Sequence, residues 1–509
     1  MTDHHDLKVV LQSHVPIVVI ETHEEYRALK LLEKVVLEMK GGLAKWTVTE
    51  GLQSVTNQAV VTKLSLTDVK YDSEKDQVQA STIDPQTALK HIKDQQQDAV
   101  FMLLDFHAHL DDPVVIRLIK EIALNHSVVR HSLVFISHSL SVPDELLRYS
   151  AQFELAMPDA ERIHKLLLNE SKTWALRNEG ARVKADPKAL KLLSQNLLGL
   201  TETDAMRLIR NAIYDDGAIT VADIPNVQKA KYELIGQDGL LSFEYDTARF
   251  SEVGGLANLR AWLDKRQVSF SASDNQHADD NPKGMLLVGI QGAGKSLAAK
   301  AVAGSWGLPL LRLDFGVLYN KFFGATEKNM REALKLAQVM SPCVLWIDEI
   351  EKGIATGDND SGTSKRVLGT LLTWMAENKH KVFIVATANN IQALPPELIR
   401  KGRLDEIFFV DLPDEKVRAE IFAIHLNKRG KKPDVYNLEM LAQECNGFSG
   451  AEIEQVVVAA NYTAAARSEV MTGAHLLEEI KLTRPLSVVM AEQMAELRQW
   501  ADGRTVNAN

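Results

Sequence analysis

The chain has 509 residues, 45% hydrophobic and 25% charged, with a formal net charge of −10 and two cysteines, Cys343 and Cys445. That length holds two large α/β units with lids, and that composition is globular rather than disordered. The acidic balance disfavours broad nucleic-acid binding, and two distant cysteines make neither a disulfide framework nor a zinc site.

The opening Met1-Thr2-Asp3-His4-His5-Asp6 lacks the basic and apolar regions of a signal peptide, and no apolar run reaches membrane-spanning length. A reducing cytoplasm is therefore the expected location. Residues 17–20 (Ile-Val-Val-Ile) read as an apolar strand, followed by the acidic turn 21–27 and an amphipathic helix over 28–36. The turn has no glycine, and its acids would repel phosphate. Residues 100–104 form a second apolar strand ending in Asp105 and Phe106, and residues 133–136 a third. His107 and His109 read as part of a surface turn, because no further ligands cluster beside them in sequence. His23-Glu24-Glu25-Tyr26-Arg27 starts like a zinc-protease motif but lacks its second histidine, so no peptidase is inferred.

Residues 246–256 precede a polar stretch, 271–280, expected to be a flexible surface loop. Next come the apolar strand 285–288 and Gly289-Ile290-Gln291-Gly292-Ala293-Gly294-Lys295-Ser296, opening a helix at Leu297. Strand, glycine loop and helix in that order make a phosphate-binding loop. Its glycines permit positive dihedrals, so main-chain N–H groups curl around a triphosphate at a helix N-terminus. Gly289, Gln291, Gly292, Ala293, Gly294, Lys295, Ser296 and Leu297 are the expected nucleotide contacts; Lys295 would neutralise the β- and γ-phosphates and Ser296 would ligate Mg2+.

Farther along, Tyr319-Asn320-Lys321-Phe322-Phe323-Gly324 reads as a turn carrying a basic residue, two aromatics and a glycine, ahead of a helix capped by Thr326. Val344-Leu345-Trp346-Ile347-Asp348-Glu349 is a buried strand ending in two acids, with Asp348 expected in the metal sphere and Glu349 as the base that deprotonates the attacking water. Residues 353–364 look polar and mobile. The strand 382–388 ends in Asn389, placed to hold the water or sense the γ-phosphate, and Arg400 and Arg403 follow a short proline-led helix. The tail beyond Gly503 reads as frayed.

The order of these motifs resembles the AAA ATPases, over roughly residues 240–475. The resemblance makes Asn389 sensor 1 and Arg400 and Arg403 the fingers that enter a neighbouring subunit's site, a task for a planar, permanently charged guanidinium. It also implies adenine contacts from the backbone around Gly254 and Gly255, a lid helix beginning at Gly450 and Ala451, and a substrate-gripping pore loop at Lys321, Phe322, Phe323 and Gly324. ATP and Mg2+ are the implied cofactors, a homo-oligomer, a hexamer by the family's habit, the implied assembly, and an unidentified protein the implied substrate.

Segments of the N-terminal half recur about 250 residues later in the same order. Residues 100–105 echo 344–348, 133–136 echo 382–385, 142–148 echo 394–400, 157–159 echo 412–414 and 199–204 echo 447–452. The expected fold is α/β: a P-loop AAA module with a helical lid, preceded by a degenerate AAA-like unit that has lost the loop and the acid after Asp105. The expected domains are 1–165 and 166–240 (degenerate unit and its lid-like segment), 241–415 (ATPase core), 416–475 (lid) and 476–509 (C-terminal helix and tail). The whole arrangement resembles the bacterial and plastid family of hypothetical chloroplast reading frame forty-six. Two functions stay open: a ring-forming ATPase that remodels a protein, or an ATP-gated scaffold whose N-terminal unit recruits partners.

Overall fold

Each apolar run read from the sequence becomes a strand of a mostly parallel sheet. The structure, a computed structural model, describes residues 3–55, 82–236, 239–248, 250–271, 281–318, 325–353, 361–400 and 402–509. Ser271 ends the helix Ala257–Ser271 instead of opening the expected loop; the rest of that loop, 272–280, the aromatic turn 321–324 and most of the polar segment 353–364 lie outside the described residues. The chain divides into two units, Met1–Pro158 with Thr201–Thr203, and Asp159–Leu200 with Asp204–Asn509.

The first unit carries six strands: β1 (Ile17–Glu21), β2 (Gly42–Thr47), β3 (Gly51–Ser54), β4 (Ala99–Leu104), β5 (His131–Ser137) and β6 (Ser150–Phe153). Their order is β3-β2-β4-β5-β1-β6, parallel except for the β2/β3 pair. Alternate residues feed two cores. Ile17, Val19, Phe101 and Leu103 join the helices Pro85–Asp94 and Pro113–Asn125 on one face, and Val18, Ile20, Met102 and Leu104 join the helix Glu25–Glu38 on the other. Burial on both faces explains why these strands read as continuous apolar runs. Asp84 and Asp112 cap the two helices of the first face, each followed by a proline at the first helical position.

The second unit begins with the helices Ala160–Arg177, Pro187–Leu197, Glu202–Tyr214 (from Asp204 on) and Ile224–Ile235, which share a core of their own around Leu193, Ile209 and Ile213. A short pair, β7 (Lys184–Ala185) and β8 (Ala218–Ile219), links them. Its large sheet contains β9 (Leu241–Glu244), β10 (Gly284–Gly289), β11 (Leu310–Leu313), β12 (Cys343–Ile347), β13 (Val382–Ala388), β14 (Glu406–Val410) and β15 (Val506–Asn507). The order is β15-β14-β10-β13-β12-β11-β9, with only β9 antiparallel. Four lid helices, Glu415–Lys428, Leu438–Glu444, Gly450–Ala466 and Gly473–Leu482, close around Phe422, Leu441 and Ile453.

The two sheets repeat one topology, since β6-β1-β5-β4-β2 follows the same succession as β14-β10-β13-β12-β11, each with an antiparallel strand outside the last. Paired segments share local geometry too. Asp159 and Asp414 both cap a helix from extended backbone, and Gly199 and Gly447 both take positive φ (79° and 82°) before a lid helix.

The structure corrects the pairing of the acids. Asp105 (φ 49°) and Glu349 (φ 47°) are both left-handed and both start a one-turn 3-10 helix, Phe106–His109 and Ile350–Gly353. Asp105 therefore stands where Glu349 stands, and the acid missing from the first unit is the earlier one, replaced by buried Leu104. Matching the first acid after each apolar run pairs Asp105 with Asp348; counted from the strand starts, Ala99 and Cys343, Asp105 falls opposite Glu349, because β4 carries its apolar run one residue further.

The frayed tail is also corrected. β15 pairs with β14, the Ala508 N–H donates to Phe409 O at 3.0 Å, and Leu259 N donates back to Ala508 O at 3.1 Å. Ala508 is 1% exposed, so a polar-looking tail is pinned by backbone bonds that composition does not report. Ala508→Asp should cost about 2–3 kcal/mol by burying an unpaired carboxylate, and the melting temperature should fall by roughly 4–12 °C; an unchanged melting temperature would restore the frayed reading.

Candidate nucleotide site

The central strand β10 delivers the glycine loop between β13 and β14. At Gly289 a Cβ would lie 2.0 Å from Val410 O, so only glycine lets the chain leave the sheet there. Gly294 has open space around it; its requirement is the positive φ of 99° that caps the helix Lys295–Trp306. The loop thus ends at a helix N-terminus, whose first N–H groups have no acceptor within the helix, a favourable place for an anion. Gln291, Gly292 and Ser296 are exposed, while Ala293 and Leu297 are half-buried.

Lys295 is buried, and its Nζ donates to Gly289 O and Ile290 O, both at 2.8 Å. Burial pushes its ammonium down to about 8, opposed by the nearby carboxylates of Glu351, Asp348 and Glu349. A cation held on neutral carbonyls is short of a counter-charge, which is what a phosphate would supply.

The carboxyl ends of β12 and β13 form the other side. Asp348 Oδ1 accepts from Thr387 Oγ1 at 2.8 Å and Oδ2 from Arg312 Nη2 at 2.9 Å. The same Thr387 oxygen accepts from the Glu349 N–H at 3.0 Å, fixing both acids to β13. Asn389 Nδ2 donates to Glu349 Oε1 at 3.0 Å, and Lys352 pairs with the same carboxylate. Buried Glu351 accepts from the Asn389 N–H at 2.8 Å and holds that strand tip in place. Sequence reading missed Thr387, Arg312 and Glu351. A lone Thr in the apolar run 382–388, a lone Arg in β11 and a third acid after Asp348-Glu349 were the available signals.

Of the remaining candidates, Arg403 Nη1 donates to Glu397 O at 3.1 Å, and exposed Arg400 has no polar partner among the described residues. Asp405, whose carboxyl burial pushes upward, accepts from the N–H groups of Lys283 (2.8 Å) and Gly284 (3.1 Å), so the arginine turn is tied to the start of the P-loop strand. Gly254 and Gly255 pack on Ile421 and Val417 of the first lid helix, with the Gly255 N–H donating to Glu420 Oε2 at 3.1 Å. The helix Gly450–Ala466 is capped by Ser449 and Glu452 acting reciprocally, and its Ala451 N–H reaches Gly292 O at 3.3 Å. Loop, strand tips, lead-in and lid therefore converge; Lys321, Phe322, Phe323 and Gly324 lie outside the described residues.

A glycine loop on a central parallel strand, acids on the next strand but one and a four-helix lid define a AAA module. Residues 285–412 match the ATPase family associated with various cellular activities (AAA), and 435–476 match the AAA+ lid domain. Residues 3–155 and 161–238 match the N-terminal and second domains of SpoVK-like AAA ATPases. Similarity to uncharacterized AAA domain-containing proteins named ycf46 runs nearly end to end. The Guillardia theta protein is 36% identical, covering 97% of this chain and 94% of its own length, and that of Pyropia yezoensis is 36% identical over 99% of both. The chain belongs to this ycf46 family of AAA proteins. A proteasome-activating nucleotidase of Aeropyrum pernix is 40% identical over 40% of this chain and 51% of its own.

Lys295 makes a pH signature. Its proton leaves at about 8 in the folded state and at the ordinary 10.5 in the unfolded chain. Below pH 8 both states are protonated and the burial cost is present in full; between 8 and 10.5 the unfolded state binds more protons, so stability gains with rising pH. Lys295→Met should be most stabilising, relative to wild type, below pH 8, by up to about 3 kcal/mol, and lose that advantage toward pH 10. A pH-independent difference in melting temperature would assign the titration elsewhere.

Proposed function

We propose that this protein is an ATP-hydrolysing, ring-forming motor that remodels or translocates a protein substrate. The observation that carries the reading is the Glu349–Asn389 bond at the carboxyl ends of β12 and β13, beside Asp348 and a buried lysine held on two carbonyl oxygens. A site that only bound nucleotide would not need a carboxylate positioned by an amide. The residues present fit ATP and Mg2+. Gly289, Gln291, Gly292, Ala293, Gly294 and Lys295 would surround the phosphates, Ser296 and Asp348 would hold the cation, and the backbone at Gly254 and Gly255 with Gly450, Ala451 and Leu297 would enclose the base and ribose. Bound Mg2+ supplies charge neutralisation at the transferring phosphoryl group.

In this mechanism Glu349 accepts the proton of the attacking water, Asn389 holds that water in line, and Lys295 meets the charge that develops on the phosphoryl oxygens. Arg400 and Arg403 act in the adjacent subunit of a homo-oligomer, a hexamer in our reading. That assignment is supported by the exposure of Arg400, which has no polar partner among the described residues. Lys321, Phe322, Phe323 and Gly324 grip an unfolded chain by apolar contact, which reads no sequence. Conversion of binding into motion follows from the lid, whose Ala451 N–H already contacts the P-loop.

Lys295→Ala should abolish nucleotide binding, whereas Glu349→Gln should bind ATP normally and turn over at background rates; equal turnover in wild type and Glu349→Gln would remove Glu349 as the base. Proteins trapped on the Glu349→Gln form would identify the substrate, and trapping of folded partners alone would favour the scaffold reading.

Arg403→Ala should keep ATP affinity and lose about a thousandfold in rate, roughly 4 kcal/mol of transition-state stabilisation. Mixing it with Lys295→Ala should restore activity in a concentration-dependent way, because some interfaces then pair an intact loop with an intact arginine. Full activity of dilute, monomeric Arg403→Ala would refute the shared site.

A further inference from the structure

The first unit has no phosphate loop, yet the strand tips that hold the catalytic acid and amide in the second unit carry a different ligand set. Counting from the left-handed residues Asp105 and Glu349 and along the β4/β5 and β12/β13 registers, Asp105, His107 and His138 occupy the places of Glu349, Glu351 and Asn389. One ligand atom from each of Asp105, His107 and His138 lies within 4.8 Å of the other two. His107 and His109 read from the sequence as part of a surface turn, with no further ligands beside them. The structure instead turns His109 edge-on to Trp46 and Phe106, at ring-centroid distances of 5.9 and 5.5 Å, and brings in His138 from the end of β5.

We propose that Asp105, His107 and His138 bind one divalent transition-metal ion, of the zinc class, in the unit that lacks the nucleotide loop. Two imidazoles and one carboxylate suit zinc and its neighbours, whereas Mg2+ and Ca2+ select all-oxygen sites. A tetrahedral ion about 2.0–2.2 Å from each ligand needs ligand atoms roughly 3.4 Å apart, so small side-chain rotations close the site. Asp105 and His138 are exposed and His107 is half-buried, which leaves room for water at the remaining positions.

The surroundings hold the ligands as metal ligands are commonly held. His107 Nδ1 bonds to buried Ser137 Oγ at 2.9 Å, leaving Nε2 for the ion. His138 stacks on His23, with ring centroids 6.0 Å apart and an interplanar angle of 23°. Asp105 keeps a left-handed φ of 49° that costs a non-glycine residue free energy, and its N–H is tied to Ile136 O at 3.0 Å. An ion here would join the end of β4 to the end of β5, as the Glu349–Asn389 hydrogen bond joins β12 to β13.

The test uses the full-length protein stripped with chelator, without nucleotide, and titrated with Zn2+. Bound metal is counted by elemental analysis after gel filtration, and affinity is read by competition with a chromophoric chelator. Wild type and a His4→Ala/His5→Ala control should each retain one zinc per chain, undisturbed by millimolar Mg2+. His138→Ala and Asp105→Asn should lose stoichiometric zinc while melting, metal-free, at the wild-type temperature, because both side chains are exposed. Ser137→Ala should weaken zinc by about tenfold or more through His107 alone. Substituted Co2+ should show visible bands that vanish in His107→Ala. Equal zinc retention in wild type, His107→Ala and His138→Ala, or retention well below one per chain in wild type, would overturn the site.

Discussion

A parallel strand covered by helices on both faces has no room for chemistry along its length, so every polar group that must act has to sit at its carboxyl end. That constraint organises both sheets. In the second unit β10 ends in the glycine loop, β12 in Asp348 and Glu349, and β13 in Asn389, and the parallel register brings these ends level. Thr387 is the hinge of the arrangement, because its single hydroxyl oxygen serves Asp348 and the Glu349 N–H together. The apolar interior below, where Leu286, Val288, Leu345, Ile347, Ile384 and Ala386 share one core, keeps the tips from moving independently.

Electrostatics at those tips is deliberately unbalanced. Lys295 is buried on two carbonyls, while Arg312 neutralises Asp348 and stacks over Trp346 at 4.9 Å. Desolvating that lysine costs stability, which the carboxylates of Glu351, Asp348 and Glu349 oppose in part and negative charge entering the loop would offset further. The same logic accounts for the lid. Ala451 bonds to a P-loop carbonyl, and the reciprocal Ser449/Glu452 cap leaves the helix start ordered at the rim of the site.

The first unit shows what the scaffold does when the loop is lost. Its turn after β1 carries Glu24, whose Oε1 accepts from the N–H groups of Glu202 (2.7 Å) and Thr203 (3.4 Å) and whose Oε2 is held by Arg27 (2.9 Å). Leu104 stands in the place of Asp348 and joins the core, while Asp105, His107 and His138 gather at the strand tips, with one ligand atom from each within 4.8 Å of the others.

Glycine spacing, apolar runs and the acids that end them were sufficient for the AAA module, its lid and the degenerate repeat, because periodicity and special dihedrals are local properties that a chain writes into adjacent residues. Lys295, Asp348, Glu349 and Asn389 were legible for the same reason. Nothing local marks Arg312 as the partner of Asp348, 36 residues on, or Thr387 as the anchor of both acids, because these pairings arise only when β11, β12 and β13 lie side by side. The register of Asp105 with Glu349 and the edge strand built by Val506–Asn507 were likewise decided by folding. His138, which stands 31 positions from His107 and beside it in space, is the clearest case: strand order, and not sequence distance, determines which ligands meet.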